Sequence, residues 1–75
     1  MILFMAKPNE KHRGIVKCYL TLREYGFISR EKGRDVFFIR SDFECESQIT
    51  EGAEVEFELE NATKGPRARK IKRLS

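Results

Sequence analysis

Residues 53–60 read AEVEFELE, in which Val55, Phe57 and Leu59 alternate without a break with Glu54, Glu56, Glu58 and Glu60. Successive side chains of a strand point to opposite faces, so this period fits only a half-buried β-strand with a wet glutamate face. Such a strand needs partners, and the rest of the chain supplies them. RGIVKCYL (13–20) reads as a first strand, YGFISR (25–30) as a second and DVFFIR (35–40) as a third, because each is rich in aromatic and β-branched residues. EKGR (31–34) reads as a tight hairpin turn between the last two. Residues 41–52 form a polar connection holding an isolated Phe43 and Ile49, and after the turn NATKGP the segment RARKIKRL (67–74) reads as a fifth strand with Ala68, Ile71 and Leu74. No segment keeps a helical period over about ten residues. Short strands with no helix to cover a sheet face are best closed on themselves, so the fold class is all-β, a five-stranded antiparallel barrel.

A chain of 75 residues has room for one domain and one core. Neither a repeat nor a low-complexity linker interrupts it. Residues 1–12 read as an N-terminal extension, MILFMAKPNEKH, with Pro8 and Asn9 breaking any regular element, and residues 13–75 as the barrel domain. MILFM is too short for a signal-peptide core or a membrane span, so the chain is expected to be cytoplasmic, with no membrane partner. Its apolar residues are costly to leave in water. Docking on the barrel, or on a second copy to make a homodimer, is therefore expected ahead of a passive tail.

Charge is segregated along the chain. Lys11 to Arg40 holds eight basic residues against Glu24, Glu31 and Asp35; Asp42 to Glu60 holds eight acidic residues and no basic one; Lys64 to Arg73 holds six basic residues and no acidic one. That order predicts a basic and an acidic side in the folded domain, and a basic side suits phosphate-bearing partners. An ordinary solvated surface would read the same on charge alone. Cys18 and Cys45 lack metal-ligand spacing and the one histidine is His12, so no metal site is expected and the thiols are expected free rather than bridged. Ser29, Ser41 and Ser47 have no histidine in reach, and Gly33 and Gly65 sit singly in turns rather than in a phosphate loop. Nothing calls for a cofactor, and the chain is not expected to be an enzyme.

Closing the barrel sorts the side chains. With Val16, Ile28, Val36, Phe38, Val55, Phe57 and Ile71 inside, alternation turns Tyr25, Phe27, Phe37 and Ile39 outward, with Lys17, Tyr19, Arg23 and Arg40 around them. Exposed rings among cations are what single-stranded nucleic acid needs, since bases stack on rings for roughly 1–3 kcal/mol each while cations follow the phosphates. Rings covering a second core or a dimer interface would give the same pattern.

These residues resemble a known family. GIVKCYLTLREYGFISREKGRDVFF is similar to the opening of the cold-shock domain, whose usual run is G-x-V-K-W-F-N-x-x-K-G-F/Y-G-F-I. EYGFI resembles its first ribonucleoprotein motif, DVFFI its second, and EGAEVEFELENATKGPRARKI its last two strands with the K-G-P turn at Lys64, Gly65 and Pro66. The resemblance runs from about Arg13 to Leu74. It implies an OB-type barrel that binds single-stranded RNA or DNA and acts as a nucleic-acid chaperone without ATP. Carried over by position, it implies a binding face of Lys17, Tyr19, Arg23, Tyr25, Phe27 and Phe37, with Lys64 at the rim; the alternation adds Arg40 to them.

Several positions depart from the family run. Cys18 stands for its tryptophan, Glu24 for a glycine, Ile39 for a histidine and Arg40 for a phenylalanine, and the loop from Ser41 to Glu51 is short and acidic. Losing stacking groups and gaining negative charge weakens binding, and at ~1–3 kcal/mol per stacked base two lost partners cost ten- to several-thousand-fold. Arg40 offsets part of this, since a guanidinium stacks on bases and pairs with phosphate. The alternative is a protein-interaction or self-associating module on the same barrel.

Overall fold

The computed structural model describes residues 11–74. The expected docking of the N-terminal extension lies outside them, apart from Lys11 and His12, which open the first strand. Strands β1 (Lys11–Leu20), β2 (Tyr25–Ser29), β3 (Val36–Ile39), β4 (Glu54–Ala62) and β5 (Gly65–Arg73) form one closed barrel in the order β1-β2-β3-β5-β4. β4 completes the ring by pairing with β1, from Lys11 opposite Glu58 to Ile15 opposite Glu54.

The barrel is not antiparallel throughout, which corrects the sequence-based expectation. β3 and β5 run parallel, joined at Phe37 opposite Arg67, and a parallel bridge between Phe43 and Ile71 extends the seam. The reason is parity. An odd number of strands cannot alternate direction all the way round a ring, so one neighbouring pair must be parallel. A parallel pair needs a long connection, and 40–53 helps provide it through short 3₁₀ turns at Arg40–Asp42 and Glu46–Gln48.

The interior is the expected one. Val16, Ile28, Val36, Phe38, Val55, Phe57 and Ile71 are buried, and Ala53 and Ala68 complete the layer. Burying each large side chain contributes roughly 1.5–3 kcal/mol. Phe43, isolated in the sequence, closes one end with its ring 5.2 Å from that of Phe38. Gly26, inside the EYGFI motif, faces the core where the chains approach closely: a Cβ there would fall on the Cys18 carbonyl oxygen and lie 2.8 Å from the Phe38 ring.

Three local expectations change. The β2–β3 connection is a longer loop, residues 30–35, held by Arg30 Nε donating to the Arg34 carbonyl at 2.9 Å, rather than a tight turn. A β-bulge interrupts β1: Val16 stands opposite Ile28 but Cys18 opposite Phe27, so Lys17 is the extra residue. An extra residue reverses the alternation beyond it. Finally, β4 lies between β1 and β5, so its glutamates sit beside cations on both sides. Glu56 stands opposite Arg13 and Lys72, and ion pairs join Lys11 to Glu58 at 3.4 Å and Arg69 to Glu60 at 3.1 Å. The predicted separation into basic and acidic sides is cancelled there by strand order.

Candidate nucleic-acid interface

The outward face of β2 and β3 carries three aromatic rings in mutual contact. Tyr25 and Phe27 lie 6.1 Å apart, Tyr25 and Phe37 5.7 Å, and Phe27 and Phe37 5.9 Å, centre to centre. The register explains the cluster: Phe27 stands opposite Phe37 and Tyr25 opposite Ile39 in an antiparallel pair, while the residues between them, Gly26, Ile28, Val36 and Phe38, face the core. The three rings are half-buried. A shallow cleft of about 550 Å³ runs from Phe27 and Phe37 to the β4–β5 turn, lined by Thr63, Lys64, Pro66 and Arg67. That lies within the range of about 300–1,000 Å³ typical of small-ligand sites. Lys64 stands at its rim.

The remaining sequence-predicted residues divide. Arg23 is exposed in the turn between β1 and β2, where its N–H donates to the Leu20 carbonyl at 3.0 Å. Lys17, the bulge residue, donates through Nζ to Asp35 Oδ2 at 2.8 Å, and this partner raises its pKa. Arg40 pairs with Glu24, Nε to Oε2, at 3.3 Å. Two of the cations expected around the rings therefore already hold a carboxylate.

Tyr19 is not in the ring cluster. The bulge sets it opposite Gly26, on the core side, where its ring lies 6.0 Å from that of Phe38 and nearly parallel to it. Its hydroxyl donates to Glu46 Oε2 at 2.8 Å and its backbone N–H to Glu51 Oε2 at 3.2 Å. Partial burial and the Glu46 carboxylate push the phenol up to about 12. Cys18 and Leu20 take the outward positions instead, opposite Phe27 and Tyr25. Leu22, in the following turn, is 99% exposed. Both cysteines are free thiols, and a hydrogen bond with Ser47 lowers the pKa of Cys45.

Arg67 was missed by sequence reasoning. It lies opposite Phe37 in the parallel seam and lines the cleft. Its Nη2 donates to Asp42 Oδ1 at 3.2 Å; Asp42 also accepts from the Ile39 N–H at 2.9 Å and pairs with Arg69 at 3.1 Å. Parity of the closed ring was the one available signal for its position. Among the described residues, no group of three or more His, Cys, Asp or Glu side chains could hold a metal ion, and no helix is long and apolar enough to cross a membrane.

This arrangement offers three aromatic rings, tilted at 37–90° to one another, on which bases can stack singly, with cations nearby for an anionic backbone. Residues 12–74 match the family model described as the 'Cold-shock' DNA-binding domain. The chain is 42% identical over 62 residues to a cold shock-like protein of Thermotoga maritima, covering 80% of this chain and 94% of that protein. It is 39% identical over 64 residues to the cold shock protein CspB of Geobacillus stearothermophilus, covering 83% and 97%. A solved structure of drosophila Unr CSD456 is similar in fold, with a TM-score of 0.75 at 23% identity over 89% of this chain and 28% of that one.

Proposed function

This chain belongs to the cold-shock domain family, and on that premise we propose that its β2–β3 face binds single-stranded RNA or DNA by stacking bases on Tyr25, Phe27 and Phe37. The observation that carries this reading is the contact of those three rings on the outside of a closed barrel. A domain of this size gains little from aromatic residues left at its surface unless something covers them. Bases fit, because each has a π-face and stacking tolerates any sequence. Lys64 and Arg23 supply cations for phosphates, and Lys17 and Arg67 join them at the cost of loosening their carboxylates. Binding of this kind holds strands apart without ATP or bond chemistry, the action of an RNA chaperone.

A second reading, a protein-docking surface, is favoured by the exposed Leu20 opposite Tyr25 and the exposed Leu22 in the turn that follows. Titration of labelled oligo-dT and oligo-U at two salt concentrations separates the two. Contact with about three phosphates gives a log–log slope near −2 on single strands. A slope near zero, or no binding at low salt, overturns the nucleic-acid reading.

A further inference from the structure

Glu24 and Arg40 are two of the positions at which this sequence leaves the family run, and the fold brings them together. They form the rung just beyond Tyr25 and Ile39: the Arg40 N–H donates to the Glu24 carbonyl at 2.9 Å and the side chains pair at 3.3 Å. Both side chains are about half exposed, at 57% for Glu24 and 46% for Arg40. Glu24 holds φ +61, a left-handed conformation that is uncommon and costly for residues other than glycine. A strained position that glycine would relieve carries instead a carboxylate that engages the neighbouring guanidinium.

We propose that the Glu24–Arg40 pair reads the Watson–Crick edge of a guanine stacked at the Tyr25 end of the ring cluster. This rests on the nucleic-acid reading above. The pair presents two carboxylate oxygens as acceptors and, beside them, guanidinium N–H groups as donors. An ionised carboxylate has about four lone-pair sites, and Arg40 Nε occupies one, leaving both oxygens able to accept. Guanine offers the complementary sequence along its edge: the exocyclic amine and N1–H donate, and O6 accepts. Cytosine presents acceptor, acceptor, donor, which duplicates the protein's pattern. Thymine and uracil present a single central donor between two acceptors. Adenine has one donor group next to an acceptor. Guanine alone satisfies both oxygens and the guanidinium together.

The surroundings favour a base edge over a phosphate at this point. The pair sits at the turn after β1, where the Glu24 N–H donates to the Leu20 carbonyl at 2.7 Å and the hydroxyl of the neighbouring Tyr19 donates to Glu46 Oε2 at 2.8 Å. Carboxylates here repel phosphate and accept from N–H donors. Stacking on rings alone carries little sequence preference. The ion pair converts one stacking position into a reading position.

The test is a set of short oligothymidines in which one position at a time carries guanine, hypoxanthine or cytosine, titrated against the wild type, Glu24→Gln and Glu24→Gly. At one position guanine binds about five- to ten-fold tighter than thymine, the low end of a bidentate base contact, as befits an exposed pair. Hypoxanthine, which lacks the amine, gains less, and cytosine gains nothing. Glu24→Gln loses the gain for guanine. Glu24→Gly loses it too, yet binds the all-thymine strand more tightly, because a carboxylate has left the phosphate path. If the all-thymine strand binds and guanine exceeds thymine at no position, the inference is wrong and the stacking reading stands. If no oligonucleotide binds, both fall.

Discussion

The Tyr19 hydroxyl donates to Glu46 and its ring lies against Phe38, so folding favours the neutral phenol. Its pKa rises from 10.0 to about 12. The folded state then binds the proton more tightly than the unfolded one, and the stability this contributes is complete below pH 10 and lost as pH rises toward about 12. Across that window the wild type should lose more stability in urea than Tyr19→Phe; parallel losses would contradict the assignment. The same residue shows where reading a sequence stops. Phe27 and Phe37 could be placed outward because β2 and β3 alternate regularly, whereas Tyr19 was placed outward by an alternation that the Lys17 bulge reverses. An extra strand residue changes no composition and no hydrophobic period long enough to notice. The bulge also brings Cys18 opposite Phe27 on the outer face. Cys18→Trp, the family residue, should add a stacking ring and tighten oligo-dT binding by roughly 1–3 kcal/mol. Unchanged affinity in a folded variant would mean that this position lies off the strand's path.

Among the elements, the parallel seam between β3 and β5 is the barrel's thinnest closure, with one register pair between the strands. Asp42 reinforces it. Its side chain is 3% exposed, and it ties the Ile39 N–H at the end of β3 to Arg67 and Arg69 on β5. Asp42→Ala removes charge-assisted hydrogen bonds and leaves the Ile39 N–H without its acceptor, a loss of about 2 kcal/mol. In a domain of this size that lowers Tm by roughly 8–16 °C. A fall of only a degree or two in thermal unfolding would show that the seam does not depend on Asp42. None of this network was visible in the sequence, because Asp42 lies in a loop that reads as polar filler and Arg67 in a strand whose neighbours depend on closure. The strands themselves were legible to within a few residues. Period-two patterns mark individual strands well, but the partner of each is a property of the ring.

At the scale of the whole molecule, strand order redistributes charge. The acidic β4 runs between cationic β1 and β5, its glutamates opposite cations of both, so the basic and acidic stretches of the sequence do not form separate sides there. Under the proposed function, charge alone holds a nucleic-acid strand weakly and affinity comes from the ring cluster. That is the central claim, and one measurement tests it directly: titration of oligo-dT against wild type, Phe27→Ala and Phe37→Ala across a salt series, with circular dichroism verifying the barrel in each variant. Each substitution should weaken binding by roughly 1–3 kcal/mol while the salt slope stays that of the wild type, because rings are lost and phosphate contacts are not. Folded variants that bind as tightly as the wild type would contradict the account.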